Sequence, residues 1–358
     1  MIRSGFRWTA AMVAAAAALA PAPAASYFLT PDVPTDLAGT TYTPWQVVHQ
    51  DSGVYAIELA LPTGTPVGAL HQMCSGAWLF SVEAPTELPP GSGMVFDPRD
   101  VIRYDGTAYT LFFGGAAAGI PAGSRVDSLF LDGGDTADLV LGFDVPTALG
   151  AAVYEPADLV RFSSPTFTLY FDASTTTPPI PAGTDVTGAA RFAPGVVLTF
   201  DVPTTLGAST FRPGELVSWN GTVFASYAAD PGWPISSRLD GLSLPAAPGT
   251  VPPTVRVRRS SLVSGRLAIS WSPSSSAGAD DYGIYEGTLG LWYSHTAADC
   301  SDDGGDLQEE ITPQSGGRYF LVVPLNASDE GSYGRNTSGS ERPRGTSTCR
   351  GTQALGCP

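Results

Sequence analysis

The sequence predicts an all-β protein in two parts, a ring of four repeated sheets followed by a small β-sandwich. Three observations lead there. Among 358 residues, 41 are Gly and 32 are Pro, while 43% are hydrophobic and only 15% are charged, a composition of short strands joined by tight turns. One motif recurs four times at near-regular spacing, and a different pattern replaces it after residue 250. The many breakers exclude a long coiled coil, and the apolar content excludes a disordered chain.

Residues 1–25 read as a secretory signal peptide. Arg3 and Arg7 give the positive start, Ala10 to Leu19 the apolar stretch, and Ala22-Pro23-Ala24 the small-residue cleavage pattern. The mature chain is then expected to begin at Ala25 or Ser26. The apolar stretch is shorter than the roughly 20 residues needed to span a bilayer. No Cys follows the cleavage region and no apolar tail closes the sequence, so neither a lipid anchor nor a transmembrane segment is expected. The expected location is secreted or at the cell surface. All 18 basic residues are Arg, set against 34 acids, for a formal net charge of -16. Such a surface repels nucleic acid. The densest basic run, Arg256, Arg258 and Arg259, reads as a linker strand.

The repeat occupies residues 26–249. Phe143-Asp144-Val145-Pro146-Thr147-Ala148-Leu149-Gly150 recurs as Phe200-Asp201-Val202-Pro203-Thr204-Thr205-Leu206-Gly207. Weaker copies are Val82-Glu83-Ala84-Pro85-Thr86-Glu87-Leu88 and Pro31-Asp32-Val33-Pro34-Thr35-Asp36-Leu37, and the four acids lie 51, 61 and 57 residues apart. Each copy is followed by an aromatic, a Pro two residues on, a polar residue and two aliphatics: Tyr42 to Val48, Phe96 to Ile102, Tyr154 to Val160 and Phe211 to Val217. Period-two strands follow at residues 54–61, 108–113, 166–171 and 223–228, then a further strand near Val67, Val126, Val186 and Leu239. Four short strands per unit, bounded by Pro and Gly, are the pattern of a propeller blade. The last unit lacks a strand and the chain has one to spare at Tyr27 to Pro34, so the N-terminal strand is expected to close a four-bladed ring. A linear solenoid, the alternative, has no reason to split a unit between its two ends.

Val251-Pro252-Pro253 reads as a stiff linker, and residues 250–358 as a separate module. Strands are expected at residues 266–271, with Trp271 in the core, and at residues 283–286, 291–294 and 319–324. Their length and spacing fit an immunoglobulin/fibronectin type III-like β-sandwich. The runs Asp281 to Gly290, Tyr293-Ser294-His295, Cys300-Ser301, Tyr319 to Pro324, Glu330 to Gly334 and Glu341-Arg342-Pro343 resemble a C-terminal, fibronectin type III-like module of large exported bacterial proteins. The propeller-like repeats with Phe-Asp-Val-Pro and Asp-Leu-Val-Arg are similar to repeats of the same kind of protein. The resemblance implies an exported, non-catalytic protein. Such modules often carry a Cys where this chain has Ser274-Ser275-Ser276.

Four Cys in an exported chain allow three full pairings. One bridge is expected within the module, Cys300 with Cys349 or Cys349 with Cys357, and Cys74 is left unassigned. Their spacing matches no zinc-ligand pattern. The three histidines, His49, His71 and His295, join no nucleophile motif. The repeated acids Asp32, Glu83, Asp144 and Asp201 have two readings. Around a ring axis they would form an oxygen cage for a cation, with Ca²⁺ the candidate, the one cofactor the sequence offers. Alternatively each accepts N–H bonds of its own turn. Asp100, Asp158 and Glu215 also recur and read as structural. The stretch Asp299 to Asp306 is a second calcium candidate or a solvated turn. Trp45, Trp219, Trp233 and Trp292 serve either the core or a sugar-stacking platform. The sum is an exported binding or surface-assembly protein whose partner is a protein or glycan at the cell surface. The alternative is a carbohydrate-active hydrolase with an acid pair in the propeller mouth.

Overall fold

The computed structural model describes residues 26–192, 195–229, 233–234, 236–303 and 305–357. The expected signal peptide, residues 1–25, lies outside the described residues. Strand β1 (Ser26–Pro31) is followed by the hairpin β2 (Thr35–Leu37) and β3 (Thr40–Tyr42), then β4 (Gln46–Asp51) and β5 (Val54–Ala60). The next unit adds one strand at its start: β6 (Val67–Gln72), β7 (Trp78–Val82), the hairpin β8 (Thr86–Glu87) and β9 (Val95–Phe96), β10 (Val101–Tyr104) and β11 (Tyr109–Phe113), ending in the short helix α1 (Gly115–Ala118). A third comprises β12 (Val126–Leu131), β13 (Leu139–Phe143), β14 (Thr147–Leu149), β15 (Ala152–Tyr154), β16 (Leu159–Ser163) and β17 (Thr166–Phe171). A fourth comprises β18 (Val186–Phe192), β19 (Gly195–Phe200), β20 (Thr204–Leu206), β21 (Ser209–Phe211), β22 (Glu215–Trp219) and β23 (Phe224–Ala229), after which β24 (Leu239–Ser243) stands alone.

These strands form antiparallel four-stranded sheets in the orders β6-β7-β10-β11, β12-β13-β16-β17, β18-β19-β22-β23 and β24-β1-β4-β5. In the last, Leu29 faces Leu242 on one side and Val48 on the other, so β1 sits between β24 and β4. The protein is thus nearly all β, a set of small antiparallel sheets of propeller-like organisation. Strand β6 packs against β12 and β24, and β18 packs against the same two. The buried apolar residues fall into clusters each shared by two adjacent sheets. Leu79 and Val101 meet Leu141 and Val160; Phe130 and Leu159 meet Leu198 and Val217. Val197 and Leu216 meet Leu29 and Val48; Phe28 and Val47 meet Phe80 and Ile102.

The repeated residues make repeated bonds. In Asp-Val-Pro-Thr, the Thr hydroxyl folds back on the carbonyl two residues earlier: Thr35 on Val33, Thr86 on Ala84, Thr147 on Val145 and Thr204 on Val202, at 2.7–2.9 Å. In the second motif the polar residue accepts the N–H three residues before it, as Gln46 from Thr43, Asp100 from Asp97, Asp158 from Glu155 and Glu215 from Arg212. The Pro of this motif has no N–H to give, but its carbonyl accepts the first N–H of the next unit: Val67 to Pro44, Val126 to Pro98, Val186 to Pro156 and Leu239 to Pro213.

Beyond residue 250 lie β25 (Arg256–Arg259), β26 (Leu267–Ser270), β27 (Asp281–Thr288), β28 (Thr296–Asp299), β29 (Gln308–Ile311), β30 (Arg318–Leu325), β31 (Asp329–Glu330) and β32 (Thr352–Gln353). They form two sheets, β25-β26-β29 and β28-β27-β30-β31-β32. Ile269, Trp271 and Ile311 of one meet Tyr282, Ile284 and Val322 of the other, with Trp271 in the core as expected. Residues 291–294, expected as a strand, form a turn instead. Leu291 N donates to Thr288 O, Ser294 Oγ accepts the N–H of Thr288, and Tyr293 sits at φ 65.

The cysteines form two bridges, Cys300–Cys349 and Cys74–Cys357. The first is one of the two pairings expected. The other, Cys349–Cys357, does not form, because the chain after β32 returns to the β6–β7 turn, where Ala277 N also donates to Cys74 O at 2.9 Å. The Cys300–Cys349 bridge adjoins a buried carboxylate. Glu330, 0% exposed, accepts from the Tyr285 and Tyr333 hydroxyls, the N–H groups of Cys349 and Arg350, and the Arg344 guanidinium. Burial alone would raise its pKa, but these donors outweigh burial and hold it below the ordinary glutamate value.

Two outcomes are expected. Leu29→Ala, between β24 and β4, costs about 2–5 kcal/mol in urea unfolding; a loss near zero would mean that β1 is not part of the core. Glu330→Gln strands the Arg344 charge and costs about 3–5 kcal/mol. Because the folded pKa is depressed, the stabilisation is present above the unfolded glutamate pKa and lost as pH falls through the folded one. Melting curves of the variant should therefore show a shallower acid limb than those of wild type.

Candidate functional site

The first strand of each four-stranded sheet carries a bulge at its second residue. Register slips between Val67 and Ala69, Val126 and Ser128, and Val186 and Gly188, and between Leu239 and Gly241 opposite β1. The residues set free are Gly68, Asp127, Thr187 and Asp240. A bulge re-aims its side chain, and here two repeats use it to seat a carboxyl. Asp127 is 2% exposed and Asp240 3%. Each is paired two residues back, Arg125 Nε to Asp127 Oδ1 at 2.7 Å and Arg238 Nε to Asp240 Oδ1 at 2.8 Å. In the other two repeats the arginine position holds Pro66 and Asp185.

Three of the four repeated acids pin the second strand to the residue entering the first through their side chains. Asp32 Oδ1 accepts the N–H of Arg238 at 2.9 Å, Asp144 Oδ1 that of Arg125 at 2.7 Å and Asp201 Oδ1 that of Asp185 at 2.8 Å. Their own N–H groups donate back to the carbonyls of the same three residues. Glu83 donates likewise to Pro66 O, but Pro66 has no N–H to return. The longer Glu83 side chain reaches instead toward Arg125 Nη1, at 3.6 Å. These carboxylates are therefore engaged by backbone and guanidinium groups. Among the described residues, no group of three or more His, Cys, Asp or Glu is placed to hold a metal ion.

Carboxyl groups outnumber the two guanidiniums in this region, and two pairs of them lie within hydrogen-bonding reach, Asp127 with Asp185 and Asp240 with Glu83. Burial, then Asp127, pushes the Asp185 pKa up to about 9. Burial, then Glu83, pushes Asp240 up to about 8, and burial raises Asp127 despite Arg125. One proton per pair reconciles the charges: a carboxylic acid donates to its carboxylate neighbour. It also supplies partners for Asp127 Oδ2, Asp185 Oδ1 and Asp240 Oδ2, buried oxygens that otherwise lack any.

The histidines take structural places. His49 Nε2 lies 2.8 Å from Ser26 Oγ and its ring stacks on Phe28. Burial pushes His71 down to about 4, so it is neutral at physiological pH. His295 is buried between Tyr319 Oη and Pro343 O, and burial lowers its pKa. In the acidic stretch, Asp299, Asp302 and Asp306 accept N–H groups of Cys300, Gly305 and Gln308, the bonding of a turn. Trp233 is buried, with Nε1 donating to Ser237 O, while Trp45 and Trp219 pack half-buried on the sheets. Trp292 differs. It is 64% exposed, beside Leu289, Leu291 and Tyr293, all exposed, and its ring centre lies 5.6 Å from that of Tyr319.

No family model and no curated protein matches the chain. Solved structures similar to it include YCF48 from Cyanidioschyzon merolae, 8% identical with TM-score 0.26, covering 66% of this chain and 61% of that one. The extracellular domain of a putative hybrid two-component system from B. thetaiotaomicron is 8% identical with TM-score 0.24, covering 85% and 41%. Virginiamycin B lyase from Staphylococcus aureus is 10% identical with TM-score 0.26, covering 81% and 85%. This chain thus spans less than two thirds of the first two. Likeness at this level carries no argument about fold or activity, which rest on the pairing and geometry above.

The carboxyl pairs set a pH dependence. A folded pKa raised above the unfolded one contributes stability that is complete below the unfolded carboxylate pKa and lost as pH rises through the folded value. Wild type should therefore lose stability as pH climbs to about 8–9. Asp185→Asn, at a position with no arginine partner, should raise the melting temperature at pH 9 and flatten this decline. Parallel curves for the two proteins would mean that the pair holds no proton.

Proposed function

We propose that this is an exported, non-catalytic binding or surface-assembly protein. Residues 26–249 form a closed four-bladed propeller, and residues 250–358 a fibronectin type III-like sandwich that serves as spacer or attachment module. Closure is supported by the pairing of β1 with β24 and by apolar clusters shared between each sheet and the next, the last with the first. Export is supported by two disulfides, which persist in oxidising compartments.

The observation that carries the binding reading is the turn after β27. Four of its five residues, Leu289, Leu291, Trp292 and Tyr293, are 44–64% exposed. Single exposed apolar residues are ordinary on a protein surface, but a contiguous group is a presented patch. Trp292 beside Tyr319 offers aromatic surface of the kind that stacks on a sugar ring or seats an apolar side chain. The hydrolase alternative fits the geometry less well. A glycosidase holds its carboxyls about 5–9.5 Å apart with room for substrate, whereas Asp127 and Asp185 are in mutual contact and Asp127 is buried.

A glycan array and a cell-surface binding assay, run beside a panel of chromogenic glycosides, test this reading. Trp292→Ala should weaken binding about tenfold or more, the cost of losing a central aromatic anchor, while its melting temperature stays at the wild-type value. Glycoside turnover abolished by Asp127→Asn would replace the binding reading with the hydrolase.

A further inference from the structure

We infer that the three-stranded sheet β25-β26-β29 docks head to tail on a second copy of this chain. Its two edges carry opposite charge. Strand β25 reads Arg256-Val257-Arg258-Arg259, exposed at every residue, and among the described residues it pairs only with β26. Strand β29 carries Glu309 and Glu310 and likewise pairs only with β26. The outer ladder of β25 is therefore open, whereas on β29 the N–H groups of Gln308 and Glu310 already donate to the carboxylates of Asp306 and Glu309, so that edge offers negative charge rather than free donors.

Register places Arg258 and Glu310 on one rung, and Arg256 on the rung of the neutral Gln308. Arg256 faces Ser270, which faces Gln308; Arg258 faces Ala268, which faces Glu310. Neighbours across a sheet share a face, and the alternate rung carries the buried Ile269. Arg256, Arg258, Gln308 and Glu310 thus lie on the face opposite Ile269, where Glu310 is half-buried and accepts from the Ser260 hydroxyl. The acidic edge is reinforced by Asp299, Asp303 and Asp306, which add to burial in raising the Glu309 pKa. Beyond β25, Leu262 is 83% exposed and Val263 45%, apolar surface that a partner strand would cover.

The charge pattern selects both occupant and geometry. Edge charges of one sign keep copies apart, which is how edge strands are usually protected. Opposite signs on the two edges of one sheet do the reverse. A two-fold contact through β25 would set Arg against Arg, and one through β29 Glu against Glu, both unfavourable. The contact that satisfies both edges is heterologous, β25 of one copy beside β29 of the next. Strands β25 and β29 run the same way, since each is antiparallel to β26, so this junction is parallel. Such a contact does not close on itself and propagates as a linear array unless a rotation closes it.

The inference rests on the assembly reading and specifies its contact. Sedimentation velocity over a concentration series, at low and high salt, tests it on the full mature chain. Wild type should self-associate at low salt and dissociate as salt screens the edges. Arg256→Glu with Arg258→Glu makes both edges acidic; Gln308→Arg with Glu310→Arg makes both basic. Each should weaken self-association, the acidic variant about tenfold, with like charges on the one rung that carries Glu310, and the basic variant about a hundredfold, with like charges on two, and mixing the two should restore it. Unaltered melting temperatures exclude misfolding as the cause. A monomeric wild type at every concentration, reversed chains that associate like wild type, or a mixture that fails to recover would overturn the proposal. A monomeric chain that still binds its surface ligand through Trp292 would overturn this inference alone and leave the binding reading standing.

Discussion

The pairing of β1 with β24 is the contact on which the rest depends. It joins residues 26–31 to residues 239–243, and it lets the sheet that begins the chain acquire its first strand from the end of the repeats. The buried carboxyl region inherits its geometry from this contact. Asp32 follows β1, Arg238 precedes β24 and Asp240 lies within it, so one corner of the cluster exists only once the two strands have met. Local hairpins can form early, but this contact must wait for the intervening units to be placed, and the loop-closure entropy falls on it.

Much of this was legible in the sequence because a repeated residue implies a repeated bond. The Asp-Val-Pro-Thr motif located the hairpin, and its Thr hydroxyls and acids now have partners of the same kind in successive units. The spare N-terminal strand was legible for the same reason. What escaped notice was what does not repeat. Asp127 and Asp240 alternate with Gly68 and Thr187, so a search for fourfold identity passes over them. The signal was present as Arg125-Val126-Asp127 and Arg238-Leu239-Asp240, a basic–aliphatic–acidic triplet in alternate units. The bulge that brings each pair together is a backbone feature that composition does not show. Glu83 is the converse case, a departure from Asp that makes sense only beside a Pro without an N–H.

In the module, strand pattern and core Trp were readable, but the turn after β27 was not. A run of Leu, Trp and Tyr reads as a strand on hydrophobicity alone. Here Tyr293 adopts a left-handed conformation and Ser294 bonds back to Thr288, which ends the strand and leaves the aromatic side chains outside. Nor did the Pro-rich segment near residue 250 reveal how closely the two parts meet. Ser332 N donates to Gly249 O at 2.8 Å, and Gly278 lies so near Ala246 O that a Cβ would stand 2.0 Å away. The junction is packed backbone against backbone, with glycine required by proximity.

The Cys74–Cys357 bridge, with a sequence separation of 283, also gives the molecule a load path. Tension applied beyond Cys357 would pass through sulfur directly into the turn between β6 and β7. The sandwich strands lie on the slack side of that tie. They would be spared while the sheet around β6 is pulled, and the covalent loop caps how far the chain between the two cysteines could extend. A protein held by its C-terminal side under shear would therefore present an intact sandwich edge and an intact aromatic turn.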